Sequence, residues 1–201
     1  MKRFIDIILS VIGLIIICPL LIIIMIVSLL IQGFPILFLH ERLGKEGKLF
    51  TLIKLRTMTK GPSISAENDI IRITNWGRFL RRTSIDELPV LFNVIKGDMS
   101  LVGPRPLPGK YLLRFNEYQR KRLKVKPGIT GLAQINGRNL LSWEERFDFD
   151  IKYVNNMSII LDLGIIINTL LLVLKGVGVS SKEQEIMPEF MGSLKSKKIQ
   201  K

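Results

Sequence analysis

Apolar and polar residues are distributed in three different ways along this chain. Residues 7–31 are apolar except for Ser10, Gly13, Ser28 and a central Cys18-Pro19 pair, and no formal charge falls between Asp6 and Glu41. As one helix the segment would extend roughly 37 Å, slightly more than a hydrocarbon core of ~30 Å, so it predicts a membrane element. It is too long for the apolar part of a signal peptide, and no small-x-small cleavage site follows. Pro19, at its midpoint, cannot donate to the carbonyl of Ile15, which favours a break into two arms of about 18 Å each. Lys2 and Arg3 precede the segment while Arg42, Lys45 and Lys48 follow it, so the positive-inside tendency puts both ends on the cytoplasmic face. A helix-break-helix hairpin satisfies that charge pattern and a straight pass does not, whereas length and hydropathy fit either.

Beyond Gly33 and Pro35 an amphipathic stretch leads into partial alternation over 49–58, the signature of an extended segment. A polar connection, GPSISAEND at 61–69, follows. Helical patterning is expected over 73–82, through Leu88, Leu91, Phe92 and Ile95, and again over 110–125, with Gly- and Pro-rich loops over 97–109. The 110–125 stretch carries Arg114, Arg120, Lys121, Arg122 and Lys124, either as a solvated face or as a helix lying on anionic lipid. A second apolar run, 159–174, contains Asp162, and a carboxylate in mid-bilayer would cost about 2.5–3.5 kcal/mol. An interfacial or core-packed helix is therefore expected there. After Val179 the chain reads as a mobile basic tail.

Composition narrows the class. Thirty Lys and Arg against 17 Asp and Glu give a net charge of +13, yet 47% of residues are hydrophobic and the mean hydropathy is +0.30. Disorder is excluded by the hydrophobic content, and a soluble nucleic-acid binder by the uncharged apolar segment. Basic charge joined to membrane sequence points to anionic lipid or phosphorylated ligands at a bilayer. One Cys and one His rule out a disulfide framework and a His/Cys zinc cluster, so any metal would sit on oxygen ligands.

Candidate chemistry concentrates in RRTSIDELPVLFNVIKGDMSLVGPRP, 81–106. Ser84-x-x-Glu87 matches a helix capping box, but Pro89 would then fall at the fifth helical position and oppose it. The alternative is phosphoryl chemistry. Asp86 and Glu87 form a carboxylate pair, a hard cation could hold pyrophosphate oxygens, and arginine forks such as Arg105, fixed between Pro104 and Pro106, could hold equatorial charge. KPGITGLAQINGR, 126–138, offers Thr130, Gln134, Asn136 and Arg138, suited to a nucleotide or to a tight connector. KLRTM, 54–58, places Lys54 and Arg56 on one strand face.

These three motifs, in this order behind a proline-broken apolar N-terminus, resemble the bacterial sugar transferases, the small monotopic polyprenyl-phosphate phosphoglycosyl transferases; the resemblance extends to about Val179. It implies transfer of a sugar-1-phosphate from a UDP-sugar to undecaprenyl phosphate with release of UMP, at the cytoplasmic face of the bacterial inner membrane. By position it makes Asp86 the nucleophile and the Mg2+ ligand, and Glu87 an assisting group that readies the lipid phosphate. Arg81 and Arg105 become phosphate contacts, and Pro19 the break of a re-entrant hairpin. Where relatives usually place Ser before that proline, this chain has Cys18, a weaker donor. The expected molecule is α+β and mostly helical: a re-entrant membrane hairpin (1–34), a compact cytoplasmic catalytic domain with amphipathic interfacial helices (35–179) and a tail (180–201). Lys54, Arg56, Arg81, Arg105, Thr130, Gln134 and Arg138 are the expected substrate-binding residues. The expected partners are the UDP-sugar, undecaprenyl phosphate and membrane lipid, with no nucleic acid; oligomeric state is left open. Two other classes compete: a non-catalytic membrane-anchored adaptor, and a glycosyl transferase that releases UDP.

Overall fold

The computed structural model describes residues 1–61, 71–137, 140–175 and 189–192. The apolar N-terminus forms one helix, α1 (Lys2–Gln32), with Pro19 inside it. The expected separation into two helices is not seen: helical backbone continues through the proline, which lacks only one donor. Gly33 ends the helix at φ 67°, a conformation that glycine adopts without steric cost, and its amide donates to Leu29 O. Residues 6, 10, 13, 17, 21, 24 and 28 follow helical spacing and form the face turned to the rest of the molecule. Asp6, Ser10, Leu21, Ile24 and Ser28 are buried there, Gly13 lies against Leu91, and Ile17 joins the cluster around Leu55 and Leu80. The opposite face is bare, with Ile15 69% and Ile26 53% exposed.

Both ends of α1 are fastened to the same body. At the start, Lys2 pairs with Asp162 and donates to Val102 O, Arg3 donates to the carbonyls of Val94 and Ile95, and Asp6 accepts from Ser100 Oγ (2.8 Å) and Leu101 N (3.2 Å). At the end, Ser28 Oγ accepts from Trp76 Nε1 (2.8 Å), and Gln32 Nε2 donates to Arg56 O (3.1 Å). Arg56 in turn donates to the carbonyls of Gln32, Gly33 and Phe34. A cation that satisfies the last carbonyls of a helix also opposes the negative end of its dipole.

The amphipathic stretch after Pro35 is a strand, β1 (Leu37–Leu43), antiparallel to β2 (Leu49–Leu55) in the register Leu37↔Leu55 to Leu43↔Leu49. Helix α2 (Asn75–Arg82) is capped by Thr74, whose hydroxyl accepts from Gly77 N. It packs so closely on the KLRTM segment that a Cβ at Gly77 would stand 1.9 Å from Thr57 O. After α3 (Val90–Lys96), the Gly- and Pro-rich region contains an unexpected strand, β3 (Ser100–Val102), parallel to β4 (Gly128–Thr130). The two chains approach so tightly that a Cβ on Gly128 would lie 2.1 Å from Gly103 N. Buried Asn93 joins α3 to the hairpin, donating to Thr51 O (2.7 Å) and accepting from Ile53 N (3.0 Å).

The basic 110–125 stretch is not one helix. Two 3-10 turns (Gly109–Arg114 and Lys121–Lys124) flank the short α4 (Glu117–Arg120), because Phe115 is extended and Asn116 restarts the chain with its own capping box to Gln119. Its charges are partly internal, and Arg122 is buried against Asp150 at 2.8 Å. Short α5 (Leu132–Ile135) follows, then α6 (Trp143–Asn155), which begins at a Ser142–Glu145 capping box, and α7 (Ile159–Leu174). Asp162 in α7 is core-packed: Tyr153 donates to it (2.7 Å) and Lys2 pairs with it. Of the tail, residues 189–192 are described. Phe190, 2% exposed, fills a socket formed by Tyr111, Phe115, Trp143 and Phe147.

Candidate active site

Asp86 and Glu87 stand on a 3-10 turn (Ile85–Glu87) between α2 and α3. No capping box forms: Ser84 is left-handed at φ 57° and makes no side-chain cap, and Pro89 occupies the position before α3, where a missing amide costs nothing. Glu87 turns instead to two cations, accepting from Lys54 Nζ at 2.7 Å and from both Arg105 nitrogens at 2.5 and 3.4 Å. Burial alone would raise its pKa, but Arg105 and Lys54 overcome that and hold the carboxyl well below the usual range.

Its neighbour behaves oppositely. Asp86 is buried, and among the described residues no hydrogen bond or ion pair engages its carboxylate. Burial, then the adjacent Glu87 charge, push its pKa up to about 6, against the pull of Lys54, Arg81 and Arg105. Adjacent carboxylates thus divide into one engaged by two cations, with its pKa pulled down, and one left unengaged, with its pKa pushed up, a division typical of catalytic pairs.

The surrounding cations are aimed by identifiable supports. Arg81 Nε donates to Thr57 Oγ1 at 2.9 Å. The backbone carbonyl of Arg105 accepts from Arg122 NH2 at 2.6 Å, and Arg122 is in turn held by Asp150. The structure therefore gathers Asp86, Glu87, Lys54, Arg81 and Arg105 from four segments. Arg56, expected beside Lys54, spends its donors on the end of α1. Thr130 shares a hydrogen bond with Thr169 (2.7 Å). Gln134 lines the cleft with both side-chain polar atoms buried and unpartnered. Arg138 lies outside the described residues, and Cys18 sits on the exposed side of α1, remote from these charges in sequence and partners.

Lys54, Arg81, Asp86, Glu87 and Arg105 line a cleft of about 2630 Å3. Its lining includes apolar residues of α1, Ile12 and Ile16 among them, with Leu91 and Leu170, and also His40, Arg42, Lys110, Tyr111, Trp143 and Arg146. Sequence reasoning missed Thr57, His40, Arg42 and Arg146. Thr57 lies within KLRTM, and His40 and Arg42 are two apart on one strand, a spacing that puts them on one face.

A model of the bacterial sugar transferase family matches residues 1–176. The chain belongs to this family. Among its relatives, this sugar transferase is 49% identical over 166 residues to the uncharacterized sugar transferase EpsL of Bacillus subtilis, covering 80% of this chain and 81% of that one. It is 41% identical over 198 residues to the undecaprenyl-phosphate galactose phosphotransferase of Salmonella typhimurium, covering 89% of this chain and 41% of the relative. With the UDP-glucose:undecaprenyl-phosphate glucose-1-phosphate transferase of Klebsiella pneumoniae it shares 43% identity over 184 residues, 84% of this chain and 39% of the other. The sugar transferase thus spans about two-fifths of the length of those two relatives.

Proposed function

We propose that this enzyme moves a sugar-1-phosphate from a UDP-sugar to undecaprenyl phosphate, the first membrane step in building a glycoconjugate. The observation that carries the reading is the pair itself: a buried, unengaged Asp86 carboxylate beside a Glu87 locked between Lys54 and Arg105. An Asp86 oxygen attacks the β-phosphorus of the donor. The bond from that phosphorus to the bridging oxygen breaks, and the electron pair leaves with UMP. An oxygen of the lipid phosphate then attacks the same phosphorus, restoring the Asp86 carboxylate and forming the diphosphate-linked lipid. Arg81 and Arg105 hold the equatorial oxygens through these steps. Glu87 acts as an orienting anion for Lys54 and Arg105, since a carboxylate so strongly held ionised is a poor base and a lipid phosphate is already anionic.

Magnesium fits this site in a limited way. Among the described residues no group of three acidic, His or Cys side chains gathers, so the carboxylate this reading offers to the metal is that of Asp86. A small hard cation held by one carboxylate, water and substrate phosphates is the ordinary form of magnesium at phosphoryl sites, where it neutralises charge on the leaving group.

The membrane arrangement follows from α1. It is long and apolar enough to cross a bilayer, but both of its ends are fastened to one body, which favours a re-entrant element seated in a single leaflet. The bare apolar stripe of α7 (Ile160, Leu163, Ile167, Leu171 and Leu174) supports an interfacial seat for that helix as well. This depth suits a reaction between a charged nucleotide and a lipid phosphate.

Purified enzyme in detergent, mixed with a panel of UDP-sugars and acceptor, is expected to release UMP; UDP release would support simple glycosyl transfer instead. Mixed with donor alone and weighed, the protein should gain one phosphosugar on Asp86, and an unchanged mass under conditions of full turnover would exclude the covalent route.

A further inference from the structure

Arg42 is a half-buried cation that this mechanism does not use. The ion pairs around the cleft go elsewhere: Lys54 and Arg105 to Glu87, Arg122 to Asp150, and Lys110 and Arg114 to Glu189. Among the described residues no carboxylate reaches Arg42, and its Nε is buried without a partner. Its hydrogen-bond partner is the Nδ1 of His40, 3.1 Å from NH2. Burial, then Arg42, Lys54 and Lys110, push the His40 pKa down to about 4, so at neutral pH the imidazole accepts a hydrogen bond and supplies no counter-charge. Burial and the nearby Arg105 lower the pKa of Arg42 itself to about 10. A sequestered cation with no anion is costly to the fold, and a ligand that brings the anion recovers that cost.

Its position is fixed by the backbone. Arg42 bridges to Pro108, and Leu43 N donates to Leu107 O at 2.8 Å, so the end of β1 lies directly beside the loop that carries Arg105. Arg105 is also the cation felt most strongly by Arg146, whose guanidinium stands 5.4 Å over the Trp143 ring. Glu87 pairs with Arg105, and Arg105 in turn acts electrostatically on both Arg42 and Arg146. That succession suits two linked phosphates, the first at Asp86 and the second one arginine further on.

We propose that Arg42, hydrogen-bonded to His40 and set beside Arg105, holds the phosphate that departs with the nucleoside. The proposal rests on the donor reading above. The nucleotide is favoured over the lipid phosphate as occupant, because aromatic rings suited to a base stand beside these cations, Trp143 under Arg146 at 5.4 Å and Tyr111 against Trp143 at 5.7 Å.

The test uses the full chain in detergent, with UMP and uridine as probes. Arg42→Gln should weaken UMP, both as a product inhibitor and in direct calorimetric binding, by about tenfold or more, the size of one charge-assisted contact. Uridine affinity and the KM for the lipid acceptor should not change. Arg42→Lys, which keeps the charge but loses the fork, should lose about three- to fivefold, and it decides the matter if melting curves show Arg42→Gln to be unfolded. UMP binding unchanged in a folded variant overturns the proposal, and so does a loss confined to the acceptor KM, which would assign Arg42 to the lipid phosphate. A wild-type protein that neither binds nor releases UMP would overturn the donor reading and this proposal together, whereas an active wild type with unaltered Arg42 variants overturns this proposal alone.

Discussion

At Asp86 the protein holds a carboxylate where folding would rather have none. Its folded pKa of about 6 lies above the ordinary aspartate value of 3.8, so the native state binds the extra proton between those values. Stability supplied by that proton is fully present below about 4 and is lost as pH rises through about 6. Two outcomes follow. The kcat/KM for the donor should rise with pH through an acid limb near 6 as the nucleophile ionises, and a profile flat from pH 5 to 8 would contradict the assignment. Asp86→Asn should abolish turnover yet raise stability above pH 7 by on the order of 1–3 kcal/mol, measured by thermal unfolding in detergent. The adjacency of Asp86 and Glu87, with Pro89 set against a capping box, made this site legible in the sequence. Arg42 was not legible, because an arginine after an apolar segment reads as a topology signal and only the fold shows that no carboxylate among the described residues meets it.

Among the elements, α1 departs furthest from what its composition suggests. Its length, hydropathy and proline were plain in the chain, but the helical stripe from Asp6 to Ser28 was hidden by surroundings apolar on every side. Two polar residues in that stripe, Asp6 and Ser28, fasten the helix. Asp6→Ala leaves the Ser100 hydroxyl and the Leu101 amide without their acceptor, and should destabilise the protein by about 1–3 kcal/mol in the same unfolding assay. An unchanged melting temperature would mean that the anchor is dispensable. Strands β3 and β4 escaped notice for a different reason: glycine and proline usually signal loops, and here Gly103 and Gly128 permit close contact between two backbones. The 110–125 region read as one helix because its polar pattern has the right period, while the restart at Asn116 depends on a local side-chain cap.

For the molecule as a whole, the shared attachment of both α1 ends sets an orientation. Tags placed before Lys2 and in the 44–48 turn should be accessible from the same side of sealed vesicles, and opposite accessibility would refute the single-leaflet seat. That the chain carries a long apolar helix and a clustered set of acidic and basic side chains was readable in the sequence; that the two share one core, with Leu21 and Ile24 packed on Leu55 and Leu80, was not, because such contacts are distant in sequence. The socket around Phe190 has a further consequence. The family match ends at residue 176, so an experimenter trimming the protein to its conserved length would pull a ring out of the aromatic cluster and leave a hole behind Lys110 and Tyr111. Phe190→Ala should cost about 3–5 kcal/mol, and shortened versions of this enzyme should be judged by their melting point before their activity is compared with that of longer relatives.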